Sequence, residues 1–150
     1  MRDLHNNVKF VQAVDPAVLT ADTNGATIDR QGFESVEHIV FAGESGDTLS
    51  GSVKLDLVLQ HSDDGSTWSD VTSAADVLVN ADSGVSAPDA NGIFRTIDAA
   101  AEDDAKYRIG YIGGKRYSRV QLDFTGTHTN GFPLCVAAVL GHAEQAPVSD

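Results

Sequence analysis

The chain has 150 residues, 41% hydrophobic and 21% charged, the balance of one folded domain with a sizeable core rather than of a disordered chain. Its formal net charge of −12 disfavours general nucleic-acid binding, which needs a positive surface against phosphate. The single cysteine, Cys135, excludes an intrachain disulfide and a thiolate-based metal site, and no apolar run reaches the ~20 residues of a membrane span.

In chain order, the N-terminal MRDLHNNVKF is charged and interrupted by Asn6-Asn7, unlike a secretory leader, so a cytoplasm-like compartment is expected. Residues 1–15 read either as an arm that reaches a neighbour through Leu4, Val8, Phe10 and Val11 or as a first edge strand. Strands are expected at Val8–Val14, Ala26–Asp29, Val36–Ala42, Val53–His61, Thr67–Val71, Ile93–Ile97, Tyr107–Ile112, Tyr117–Phe124 and Leu134–Leu140. Two of them declare their faces. Leu55, Leu57 and Leu59 alternate with Asp56 and flanking polar residues, and Val120, Leu122 and Phe124 alternate with Arg119, Gln121 and Asp123. The run LCVAAVL is apolar on both parities, as in a central or doubly covered strand.

The punctuation fits this reading. Ser62-Asp63-Asp64-Gly65-Ser66 predicts a hairpin loop, with Gly65 at positive φ, and Gly113-Gly114 predicts a second hairpin. Residues 80–92, NADSGVSAPDANG, form the longest polar loop and the best candidate for mobility. DAAAEDDA at 98–105 predicts a turn or two of helix capped by Asp98. About nine strands in a single domain spanning 1–150 predict an all-β, antiparallel two-sheet sandwich of jelly-roll type.

No constellation demands an enzyme. Asp63-Asp64-Gly65 lacks the alternate ligands and closing Glu of a calcium loop. The histidines 5, 38, 61, 128 and 142 contain no paired spacing, although a three-His site could assemble in space. Gly43-Glu44-Ser45-Gly46 is one residue short of a nucleophile elbow and reads as a flexible loop. Cys135, among apolar neighbours, reads as a buried inert thiol, and Trp68 as a core residue rather than a sugar platform. No cofactor and no metal ligand are expected.

The ordered short motifs resemble a group of small proteins of tailed phages and prophages. They run from DLHNNVKFV at 3–11 and PAVL at 16–19, through NGATID at 24–29, GFESV at 32–36 and LQHSDDGSTW at 59–68. They continue with YRIGYIG at 107–113 and KRYSRV at 115–120 and close on PL at 133–134 and VLGH at 139–142. The resemblance implies a non-enzymatic head decoration, or cement, protein on the outside of the capsid, assembled in the host cytoplasm. It implies a homotrimer bound to the major capsid protein at threefold positions, with no nucleic-acid or membrane partner. A head-fibre or adhesin domain that binds glycans through Trp68 and the 80–92 loop is the alternative.

One stretch cuts across the acidic character. Five of the ten Lys and Arg residues fall between Lys106 and Arg119. Their parity does not make one stripe, as a nucleic-acid track would require, and neutralisation by Asp98, Glu102, Asp103 and Asp104 is expected. Lys115 and Arg116, at the tip of the expected hairpin, join Leu4, Val8 and Phe10 as candidate capsid or partner contacts.

Overall fold

The computed structural model describes residues 3–148. Eleven strands, nearly all antiparallel neighbours of one another across two sheets, make a β-sandwich; the expectation of nine omitted two pairs of residues too short to show periodicity. The strands are β1 (Lys9–Leu19), β2 (Thr23–Asn24), β3 (Ile28–Asp29), β4 (Phe33–Ala42), β5 (Lys54–Ser62), β6 (Ser69–Asp70), β7 (Val77–Leu78), β8 (Ile93–Ile97), β9 (Ala105–Tyr111), β10 (Tyr117–Thr125) and β11 (Phe132–Ala143). Sheet A runs β1-β11-β4-β9-β7. Sheet B runs β2-β10-β5-β6, with β3 also on β10 and β8 also on β5.

Most successive long strands alternate between the sheets, the jelly-roll pattern of connection. This corrects one expectation. Gly113-Gly114 does not close a hairpin: β9 pairs with β4 and β7 in sheet A, whereas β10 pairs with β5, β2 and β3 in sheet B. The two glycines carry the chain from one sheet to the other. A Cβ on Gly113 would stand 2.6 Å from the Tyr111 hydroxyl, so a side chain is excluded by close approach. The other expected hairpin is present. β5 pairs with β6 through Gln60↔Asp70 and His61↔Ser69, and Gly65 has φ +71°.

The core lies between the sheets. Leu55, Leu57 and Leu59 of β5 and Val120 and Leu122 of β10 face Val36 and Val40 of β4, Tyr107, Ile109 and Tyr111 of β9, and the even-numbered residues of β11. All five named residues of sheet B are fully buried, as their alternation requires, and Phe124 packs partly against them; Asp56, read as solvent-facing, is instead buried and accepts from Lys54 and Thr96. Burying such side chains contributes about 1.5–3 kcal/mol each, the principal stabilising term here.

Two polar segments depart from expectation. Residues 98–104 form turns without helix: the Glu102 N–H reaches the Ala99 carbonyl at 2.9 Å, while the Asp98 N–H donates to the Glu102 carboxylate at 3.0 Å. A helix here would set Asp98 over Glu102 as a like-charge i,i+4 pair and place Glu102, Asp103 and Asp104 at its negative C-terminal end. The 80–92 loop contains a short 3-10 turn (Ala81–Ser83) and is stitched down by Ser86 N–H to Phe94 O (3.1 Å) and Asp89 N–H to Ile93 O (3.0 Å).

Candidate interaction surfaces

The outward parity of sheet A is as informative as its inward one. On β11 the residues between the core positions are Pro133, Cys135, Ala137 and Val139, and register sets them beside Phe41 and Ile39 of β4. On the other flank, Phe10 of β1 lies opposite Val139, and Val18 opposite Pro133. An apolar tract therefore crosses the outer face of three adjacent strands. Phe10 is 63% exposed, Val18 60% and Phe41 48%. At its lower end a depression of about 490 Å³ opens among Pro16, Val18, Phe41, Pro133 and Cys135. The double-sided apolarity of LCVAAVL thus belongs to a central strand whose second face is left open. Cys135 is accordingly only partly buried, on that outer face rather than in the core.

Beyond the apolar tract, β9 adds Lys106 and Arg108, and Arg108 donates to Glu37 at 3.0 Å. On β11, β4 and β9, between Pro133 and Val139 and their register partners, this face holds two cations and one anion. The remainder of the chain is strongly acidic.

The five contact residues expected from the sequence gather at one end of the sandwich. The register row Lys9↔Leu140↔Val36↔Tyr111 marks that end in sheet A. Leu4 (69% exposed) precedes β1 in a turn closed by Asn7 N–H to Leu4 O at 3.1 Å, and Val8 is half-buried beside Gly141 and His142. The segment folds back on its own chain, since the Val148 N–H donates to Asn6 O at 3.0 Å. From Lys9 onward it is an edge strand. Lys115 and Arg116 lie just past Tyr111, across the turn at 30–34.

The basic residues do not act as a unit. Arg116 makes a two-pronged contact with Asp29 (2.9 and 2.6 Å), which holds that carboxyl below its ordinary pKa. Lys115 Nζ donates to Ser69 Oγ at 2.9 Å, and Arg119 donates to Gln60 at 2.9 Å. None of these partners is among Asp98, Glu102, Asp103 and Asp104, where neutralisation was expected; Glu102 instead pairs with Arg95 at 2.8 Å. Arg119 also lies 4.2 Å above the Trp68 ring. Trp68 is therefore a partly buried residue on the outer face of sheet B, not a core residue, because its position past the hairpin turn brings it over the outward side of β10.

The far end is acidic and well ordered by hydrogen bonds. Asp47 accepts from the backbone N–H groups of Asn130 and Gly131 at 3.0 and 2.9 Å, which lower its pKa. Asp103 accepts from the Ser45 N–H at 3.0 Å, so the Gly43–Asp47 loop is tethered at both ends. Asp22, Glu44 and Asp104 lie at the same end, past the row Leu134↔Ala42↔Ala105. Asp64, in the hairpin, is consumed by the N–H groups of Ser66 and Thr67 at 2.8 and 2.7 Å, which depress its pKa and leave a turn motif instead of a calcium ligand set.

Among the described residues no group of three or more His, Cys, Asp or Glu converges to hold a metal ion. One serine–histidine pair has the atoms of a nucleophilic dyad: His38 Nε2 lies 2.9 Å from Ser118 Oγ. Both residues are sealed between the sheets, at 0% and 1% exposure, and His38 Nδ1 has no orienting carboxylate. A substrate cannot reach that hydroxyl. Burial instead pushes His38 down to a pKa of about 4, leaving a neutral imidazole in the core.

Comparison of the chain with protein-family models, curated proteins and solved structures gave no match.

Proposed function

We propose that this protein is a structural, non-enzymatic component of a phage head, a cement protein on the capsid exterior. The observation that carries the reading is the open apolar tract of sheet A on a rigid jelly-roll sandwich. Soluble monomers rarely display a contiguous apolar patch beyond ~300–600 Å², and larger ones mark association surfaces. The ordered motifs from 3–11 to 139–142 supply the capsid as partner, with the major capsid protein as the contacted subunit and a homotrimer as the attached unit. Leu4, Val8, Phe10, Lys115 and Arg116, which lie toward one end of the sandwich, are the proposed capsid contacts. Nucleic acid and membrane are not partners in this reading, and assembly takes place in the bacterial cytoplasm.

A cement protein works by adding many weak contacts. Each copy bridges capsomers through a modest area, and multivalent attachment makes the shell resist internal pressure. Heads that lack the protein should therefore release DNA at lower temperature or under milder osmotic shock, and the purified protein should restore them. Unchanged head stability would overturn the proposal. The glycan-binding alternative loses its main support because the Trp68 face that a sugar ring would stack on is covered by Arg119.

A further inference from the structure

The geometry points to a second copy of this chain as the occupant of the outer face of sheet A, independent of whether the protein binds a capsid. Three observations lead there. The first is that the tract is apolar where it could have been polar at no cost to the core. Phe10, Val139, Ile39 and Phe41 alternate with the buried positions of their strands, so polar residues there would leave the interior unchanged. Their parity faces away from the sandwich, toward whatever covers it.

Charge is the second. The chain carries −12, and carboxylates stand at both ends of the sandwich, with Asp22, Glu44, Asp47, Asp103 and Asp104 at one and Asp29, Asp63, Asp64 and Glu144 at the other. A basic macromolecule would be drawn to those ends, and not to a face on which Lys106 and Arg108 are balanced by Glu37 and Asp15. A strongly acidic partner would meet the long-range field of the whole chain. A copy approaching face to face brings two near-neutral apolar surfaces together. Glu37 and Arg108, adjacent on one face, can exchange partners across such a contact.

Size is the third. The face of β1, β11, β4 and β9, four strands ~4.8 Å apart and about seven residues long at ~3.4 Å each, gives a footprint of roughly 450 Å² in projection, with the apolar tract on three of the strands and the Lys106–Arg108 flank on the fourth. Side-chain relief raises the accessible area toward the ~600 Å² per partner at the lower end of stable interfaces. Sheet faces already pack this way at ~10 Å inside every sandwich.

The test uses the full chain, purified without heads. Light-scattering mass at micromolar concentration should give a dimer or a trimer. Phe41→Glu, and separately Phe10→Glu, should shift the dissociation midpoint at least tenfold toward monomer while the far-UV spectrum and the melting of the monomer are retained. Gln121→Lys, on the outer face of sheet B, should leave the midpoint unchanged. Cys135 gives an independent readout: a maleimide should react with it more slowly in the assembled protein, and Phe41→Glu should restore the fast rate. A monomer at high concentration, or an oligomer indifferent to Phe41→Glu and Phe10→Glu, would overturn the assignment. Failure of these tests leaves head stability to be judged separately, so the two proposals fail independently.

Discussion

At the residue scale, two adjacent glycines have opposite constraints. A Cβ at Gly113 would meet the buried Tyr111 ring at 2.6–2.7 Å, whereas one at Gly114 meets nothing within 4 Å. Gly113→Ala should cost about 1–3 kcal/mol by overpacking, and Gly114→Ala should stay within about 0.5 kcal/mol of the parent, both read by chemical denaturation. His38 sets the acid side of the stability curve. Its native pKa of about 4 lies below the ordinary 6.5, so the unfolded chain binds a proton in this window that the native core refuses. Stability contributed by this group is present above pH 6.5 and is lost as pH falls toward 4, by roughly 3 kcal/mol at most. Melting temperatures between pH 7 and 4.5 should slope downward, and His38→Gln should flatten that slope; an unaltered slope would refute the assignment. The lowered carboxylates Asp29, Asp47 and Glu102 act at lower pH, where protonation removes their hydrogen-bonded charge. None of this was legible in the sequence, because a lone histidine between valine-rich neighbours carries no mark of what lies across the sandwich. Trp68 shows the same gap. Its partner Arg119 is fifty-one residues away in sequence and meets it only because β5, β6 and β10 are neighbours.

At the scale of elements, the alternating runs gave faces but not sheets. Leu55-Leu57-Leu59 and Val120-Leu122 point inward as their period requires, since pleating fixes side-chain direction locally. Whether two consecutive strands pair is a different matter, decided by how far the connection bends and what each strand buries. The step from β9 to β10 contains turn glycines and so imitates a hairpin, yet the strands separate into different sheets. Strands β2 and β7, two residues each, fall below the length at which any period can be seen. β11 offers a direct test of the two faces. Leu140→Ala should cost about 2–5 kcal/mol in monomer stability. Val139→Ala, one residue away and on the outer face, should cost less than about 1 kcal/mol in the monomer, its larger effect being on self-association. Equal losses in the two variants would mean that the outer face is already packed.

For the whole molecule, charge and apolarity are segregated. Carboxylates collect at both ends of the sandwich, and the apolar tract occupies the outer face of sheet A. The cement proposal places the capsid at the end that carries Leu4, Val8, Lys115 and Arg116, whereas the outer face of sheet A is the one that copies share. If Lys115 and Arg116 meet an acidic capsid surface, binding of purified protein to bare heads should weaken several-fold between low and high salt, while self-association through sheet A changes little. Pelleting assays with heads across a sodium chloride series, run beside light scattering, separate the two dependences. A capsid affinity blind to salt would place the docking surface elsewhere on the sandwich.

The register Lys9↔Leu140 has a kinetic consequence. β11 fills the space between β1 and β4, so sheet A remains divided until its last strand in chain order has been made. Such long-range closure places this fold among the slow-folding topologies. Val139, Ala137 and Cys135 reach the surface only on the strand that completes sheet A. If copies meet through that face, a chain interrupted before this strand has no completed face to offer and takes no place among finished copies.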